Sequence, residues 1–199
     1  MALYGIEVHN DIIPYSGGAF YFTAGKTRRV GIEVGGRLLL SNGISIGTAI
    51  AFSRNRYVDY QVDSVHYGNP GKFLSLKNNL VAGVPDRVFS IDLRYSPPAH
   101  KQAYVKASVH GIGSYYADDA NKFSIPASAT LDARIGLEST SILNDRLMIN
   151  GFLGVDNLTN SNYTASAWIN PDLVNGKPVF LEPGLPRSVS GGVSLGWNF

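Results

Sequence analysis

The chain ends on a run in which every second residue is apolar or glycine. Val189, Gly191, Val193, Leu195, Trp197 and Phe199 fall on one side of an extended strand; Ser188, Ser190, Gly192, Ser194, Gly196 and Asn198 fall on the other. A period of two marks a β-strand whose faces meet different surroundings. Segment 128–138 sets Ala129, Leu131, Ala133, Ile135 and Leu137 against Ser128, Thr130, Asp132, Arg134 and Glu138. The same rule holds for Phe89, Ile91, Leu93 and Tyr95 over 88–95, and for Val30, Ile32, Val34, Leu38 and Leu40 over 29–40. Segments 3–10, 44–57, 103–116 and 146–156 follow it less cleanly. Most of these segments exceed the roughly 5–6 residues of a common soluble strand. They suit the roughly 9–11 residues that a tilted membrane strand needs.

No segment carries a helical period, so no helix is available to cover the apolar faces, and lipid can cover them instead. The expectation is therefore all-β: a transmembrane antiparallel up-and-down β-barrel segment of about eight strands. The alternative is a soluble two-sheet sandwich, whose strands also alternate. Bulk composition does not separate them. A hydrophobic content of 44% and a mean hydropathy of −0.01 look soluble, but alternating faces average out. The 22 glycines and 11 tyrosines suit a sheet with a tightly packed polar face. A formal charge of +2 is too small to imply a nucleic-acid partner, and without cysteine there is no disulfide framework and no thiolate metal site.

The connections near 41–43, 96–102 and 139–145 read as short turns; those near 11–28, 58–87, 117–127 and 157–187 read as longer loops. Alternation of short and long is expected of a barrel with tight periplasmic turns at one rim and extracellular loops at the other. An even strand count then puts both termini on the periplasmic side. Tyr4, Tyr95, Trp197 and Phe199 are expected near that rim, and Tyr57 and Tyr115 near the outer one, as aromatic girdles.

Gly154-Val155-Asp156-Asn157-Leu158 followed by Tyr163 resembles a penultimate-strand signature of TonB-dependent receptors. Glu182 to Ser188 is similar to the Pro- and Arg-containing approach to their last strand, and the stretch from Gly25 to Glu33 and Val84-Pro85-Asp86-Arg87 resemble upstream strand beginnings. Leu195, Trp197 and Phe199 are similar to the C-terminal signal read by the barrel-assembly machinery. The resemblance implies a Gram-negative outer-membrane receptor for a scarce, bulky nutrient such as a ferric siderophore, not an enzyme. A receptor of this kind has about 22 strands around a plug. Residues 1–199 are accordingly expected to be the C-terminal portion of such a barrel, with plug and N-terminal strands missing. Partners implied are membrane lipid, the assembly machinery, an iron–siderophore or similar small molecule, and the TonB complex only through the missing plug. The stretch Met1–Glu7 lacks the features of a signal peptide, which agrees with a missing leading portion. The alternatives are a complete small outer-membrane barrel, serving as anchor or lipid-modifying enzyme, and a soluble ligand-binding β-domain.

Candidate ligand contacts are His66 and Tyr67 in one long loop and Tyr163 and Trp168 in another, with Phe180 beside them. Each has the plain alternative of packing its loop. Ser108 and His110 share a strand face, with Asp92 on a neighbour, which is the composition of a hydrolytic triad but is also ordinary lumenal polarity. His9, His66, His100 and His110 lie on separate segments without metal-ligand spacing, so no metal and no cofactor is expected. Gly111-Ile112-Gly113 is too short for a nucleotide loop. Glu33, Arg37, Asp92, Arg94, Asp132 and Arg134 are expected to form cross-strand networks on the polar face.

Overall fold

The computed structural model of the chain describes residues 1–63, 71–142, 146–178 and 181–197. Eight strands form one antiparallel sheet: β1 (Ala2–Tyr15), β2 (Phe20–Leu39), β3 (Ile44–Asp59), β4 (Arg87–Tyr95), β5 (Ala103–Ile112), β6 (Ser128–Ile142), β7 (Leu147–Asp156) and β8 (Ser188–Trp197). Spatial order equals chain order from β1 to β8, and the sheet does not close, since no ladder among the described residues joins the two outer strands. Ala2 and Trp197, the first and last strand residues, both lie toward the end carrying the turns at 41–43 and 96–102. No described helix is long and apolar enough to cross a membrane, which is silent on strands.

Register converts the alternation into two faces, because directly opposed residues share a side. Leu131 opposes Val109, Ile135 opposes Val105 and Leu153, and Leu195 opposes Ile149. Asp132 opposes Ser108, Arg134 opposes Lys106, and Ser194 opposes Asn150. The apolar face is open: Val193 and Leu195 expose 76% and 66% of their surface, which excludes a closed sandwich core over them. Two irregularities shift the phase. In β6 the register slips between Leu137 and Thr140, so that Thr140 and Ile142 join the apolar row opposite Ile149 and Leu147. In β1, Asn10 has φ of 55°. Before it Glu7 bonds Lys26 and Arg28; after it Asp11 bonds Thr27 and Arg29, on the other side of β2.

That second irregularity corrects the sequence reading of 11–28 as a long loop. The ladder continues through Asp11↔Ala24, Ile13↔Phe22 and Tyr15↔Phe20, closing in a turn at Ser16–Gly18. Asn10 and Gly25 interrupt the alternation, and Pro14, Ser16, Gly17 and Gly18 resemble loop composition. Pro14 is tolerated because β1 is an edge strand. β5 likewise ends at Ile112, short of the expected 116. The aromatic girdles are corrected too. Tyr95 and Trp197 are exposed on the apolar face, but Tyr4 opposes Gly31 on the polar face, and Tyr57 and Tyr115 are buried beneath the long loops. Phe199 lies outside the described residues.

Three glycines on the polar face, Gly31, Gly136 and Gly192, are opposed by aromatic rings. Tyr104, Gly136, Phe152 and Gly192 form one row across β5 to β8. A Cβ on Gly136 would stand 2.7 Å from the Tyr104 ring, and one on Gly192 3.0 Å from the Phe152 ring. Tyr4 over Gly31, on the same face, and Phe89 over Gly111, on the apolar one, repeat the arrangement. The Arg94 guanidinium lies 4.2 Å from the Tyr104 ring centroid and that of Arg134 4.6 Å from Phe152.

The β2–β3 turn uses Asn42 and Gly43, with φ of 65° and 82°, the backbone that Asn-Gly favours in tight hairpins. A Cβ on Gly43 would also meet the Ser96 carbonyl oxygen at 1.8 Å. Gly43→Val should cost more than about 1 kcal/mol and lower the fraction of folded barrel on unheated gels. Gly36, with open space around it, supplies the control as Gly36→Ala.

Candidate functional site: the polar face and its loop cap

Four connections meet at the end opposite the chain termini. The 58–87 connection carries a ladder of Gln61–Asp63 with Phe73–Ser75, and 157–187 carries Thr164–Ala167 with Leu181–Pro183 and Leu173–Val174 with Lys177–Pro178. Their prolines keep them from continuing the main sheet. Ile13, Ala24, Tyr57, Tyr60, Val62, Leu76 and Val81 form a small apolar core beneath them.

Asp119 sits in this cap, fully buried. Its carboxylate accepts from Tyr57 Oη at 2.5 Å, Tyr60 Oη at 3.0 Å and Asn170 Nδ2 at 2.8 Å. Its amide donates to Asn170 Oδ1, and its carbonyl accepts from Asn79 Nδ2. Asn170 also donates through Nδ2 to the Pro14 carbonyl, and its own carbonyl accepts from Ser16 N. The carboxylate thereby ties three connections directly, and Asn170 links them to the fourth through Pro14 and Ser16. Burial pushes the Asp119 carboxyl above the usual carboxylate range, while the Tyr57, Asn170 and Tyr60 donors pull it back. Sequence reading passed over Asp119, because a second Asp in a polar loop looks solvated; only its distant partners reveal it.

Below the cap, the polar face carries a ladder of charge. Arg94 bonds Glu138 at 2.7 Å, Lys106 bonds Asp92 at 2.8 Å, and His110 faces Asp132 at 3.6 Å. The expected cross-strand networks are therefore present for Asp92, Arg94 and Asp132. The Ser108 hydroxyl donates to Asp92 at 2.7 Å, so the hydroxyl engages one carboxylate and the imidazole another. That is unlike a triad, in which the imidazole takes the hydroxyl proton. Among the described residues no group of three or more His, Cys, Asp or Glu is placed to hold a metal ion.

A recess of about 640 Å³ opens on the polar face of β2 to β6. Ala49, Ala51, Val88 and Ile112 supply apolar surface; Glu33, Ser90, His110, Ser128 and Thr130 supply polar atoms; Tyr163 reaches in from the last loop. The Tyr163 ring packs so closely on Gly184 that a Cβ there would stand 2.2 Å away, and the Gly184 amide bonds the Tyr163 carbonyl. Of the expected ligand contacts, Tyr163 thus lines the recess, Trp168 is exposed on the same loop and does not line it, and His66 and Tyr67 lie outside the described residues, as does Phe180. Recess residues such as Val88 and Ile112 escaped sequence reading because on the polar face they break the alternation.

Comparison with known proteins agrees with this architecture. A family model described as TonB dependent receptor-like, beta-barrel matches residues 1–158. A ferrioxamine receptor of Yersinia enterocolitica is 26% identical over 174 residues, which are 84% of this chain and 22% of that receptor. The siderophore receptor PiuA of Acinetobacter baumannii superposes with a TM-score of 0.70 at 17% identity, covering 97% of this chain and 25% of that one. The ferric yersiniabactin uptake receptor FyuA of Yersinia pestis does so with a TM-score of 0.64 at 18% identity, covering 97% and 26%. The chain spans about a quarter of the length of these relatives. An open antiparallel sheet with unlike faces, matched over most of its length by that family model, makes this chain a member of the TonB-dependent receptor β-barrel family.

Proposed function

We propose that residues 1–199 are a C-terminal part of the wall of an outer-membrane receptor that takes up an iron–siderophore or a similarly bulky chelate. The carrying observation is the open eight-strand sheet, apolar on one side and charged on the other, with its long loops locked together at one end. In this reading the apolar face meets lipid and the polar face lines the lumen. The Tyr163 recess lies on the substrate's route. Both termini are periplasmic, and the interlocked loops face outward. Preceding strands and a plug belong to the whole protein, and coupling to the TonB complex runs through that plug. Leu195, Trp197 and Phe199 serve as the signal for barrel assembly. Tyr163 and Trp168 touch ligand, joined by His66 and Tyr67.

The test is iron uptake by cells lacking their own siderophores. Deleting the gene that encodes this chain should abolish accumulation of radioactive iron supplied as a ferric hydroxamate or ferric catecholate, and a plasmid copy should restore it. Unchanged accumulation from every chelate class would remove the uptake reading.

A further inference from the structure

Among the described strand residues, charge on the apolar face is confined to one end and is mostly positive. Every strand lysine or arginine on that face lies toward the long loops of β2, β3 and β4: Lys26, Arg28, Arg54, Arg56 and Arg87. Moving up the seam between β2 and β3, the rows run Ile32 with Phe52, then Val30 with Arg54, then Arg28 with Arg56, and Arg87 stands beside Phe52. The cations therefore begin where the apolar rows stop. At the opposite end of the same face the described strand residues include Leu38, Ile44, Tyr95, Leu137, Ile142, Leu147 and Trp197, none of them charged.

Internal anions do not account for the cluster. Glu7 takes Lys26 at 2.7 Å and Arg28 at 2.7 Å, but Arg28 keeps 59% of its side chain exposed. Arg56 gives one guanidinium nitrogen to the Asn78 carbonyl, which holds it in place without neutralising it. Arg87 stands 4.0 Å from Asp86 with half its side chain exposed. The Arg54 side chain is exposed and makes no hydrogen bond or ion pair with a described residue. Counting Glu7, Asp59 and Asp86 against the five cations leaves an excess of two positive charges.

We infer that this cluster binds the phosphate groups of lipid headgroups in the leaflet on the long-loop side. The reading rests on the membrane placement proposed above: acyl chains cover the rows ending at Phe52 and Ile32, which sets headgroup phosphates level with Arg54 and Arg87. Guanidinium groups suit such phosphates because they donate in pairs. A soluble anion would gain the charge but not the neighbouring apolar surface, so the lipid-borne phosphate is the better occupant.

The experiment uses the whole protein that carries this chain, reconstituted in phosphatidylcholine vesicles containing spin-labelled phosphatidic acid or spin-labelled phosphatidylcholine. Flotation first shows whether the protein enters the bilayer; failure there overturns the membrane reading and this inference together. For inserted protein, phosphatidic acid should be held selectively at the protein surface. Each charge removed in Arg54→Gln and Arg87→Gln should weaken the site about fivefold, and the double variant should approach no selectivity while remaining folded on unheated gels. Equal association of both lipids with the wild type, or selectivity untouched by the double variant, overturns the inference with the membrane reading intact. Selectivity lost to inorganic phosphate but not to chloride at equal ionic strength would mark a soluble-anion site and overturn it. Binding of soluble polyglutamate without lipid selectivity would assign the patch to an acidic protein partner, with the same consequence.

Discussion

Val193→Arg should destabilise the folded barrel by about 2–4 kcal/mol, the cost of a cation on a lipid-facing position near the bilayer midplane. Val193 is 76% exposed and faces Gly151 across the β7–β8 seam, so no polar neighbour on that row can shelter the charge. Ser194→Arg, one residue on, puts the same side chain on the polar face beside Asn150 and should change stability by only about 0.5 kcal/mol. Urea unfolding of the whole protein in phospholipid vesicles measures both. Equal losses would mean that neither face meets lipid.

Removal of the buried carboxylate in the cap should have the second large effect. Asp119→Ala removes an acceptor shared by Tyr57, Tyr60 and Asn170, and leaving the buried Tyr57 hydroxyl proton without its acceptor should alone cost about 1–3 kcal/mol. The loss falls on the loops and not on the sheet, whose ladders do not involve residue 119. Cleavage by an added protease within 113–127 and 157–187 should rise steeply, with gel mobility of the unheated barrel unchanged. The carboxyl is shifted upward by burial, so its contribution is complete below the unfolded value of about 3.9. That contribution declines as pH rises through the folded value. Cleavage of the wild-type loops, normalised to an unfolded peptide, should therefore increase from acid toward neutral pH. Asp119→Asn should flatten that dependence. A cap that loosens in acid instead would reverse the assignment of burial as the dominant cause.

The sheet was legible from the sequence because its information is local. A strand with lipid on one side and polar surface on the other must write that difference every second residue, as Leu131 to Leu137 and Val189 to Trp197 do. Legibility failed wherever a single backbone angle or a distant partner decided the outcome. Asn10 in a left-handed conformation moves Asp11 across the sheet and hides ten further residues of hairpin. Tyr57 and Tyr115 read as rim aromatics, since nothing within their own segments shows that Asp119, 62 residues from Tyr57, folds over the one and that Ile125 and Ala167 pack around the other. Tyr163 was picked out for its type and position. Its place beside Val88, Ile112 and His110 depends on the fold-back of a loop held by Gly184.

Alternation has a blind spot: a strand displaced by two residues still shows lipid the correct face. Hydrophobicity alone would therefore let neighbouring strands settle at several equivalent offsets. The rings set against glycines remove that degeneracy. Sliding Tyr104 by two positions would press it on Arg134 or Glu138 instead of Gly136; sliding Tyr4 would press it on Arg29 or Glu33 instead of Gly31. Because Tyr104 packs over Gly136 and Phe152, opposite Gly136 in the same row, packs over Gly192, an error at one seam is felt at the next. The glycines thus act as a keyway along which each incoming strand is indexed, and the accuracy of zipping this wall together is encoded in the residues that have no side chain.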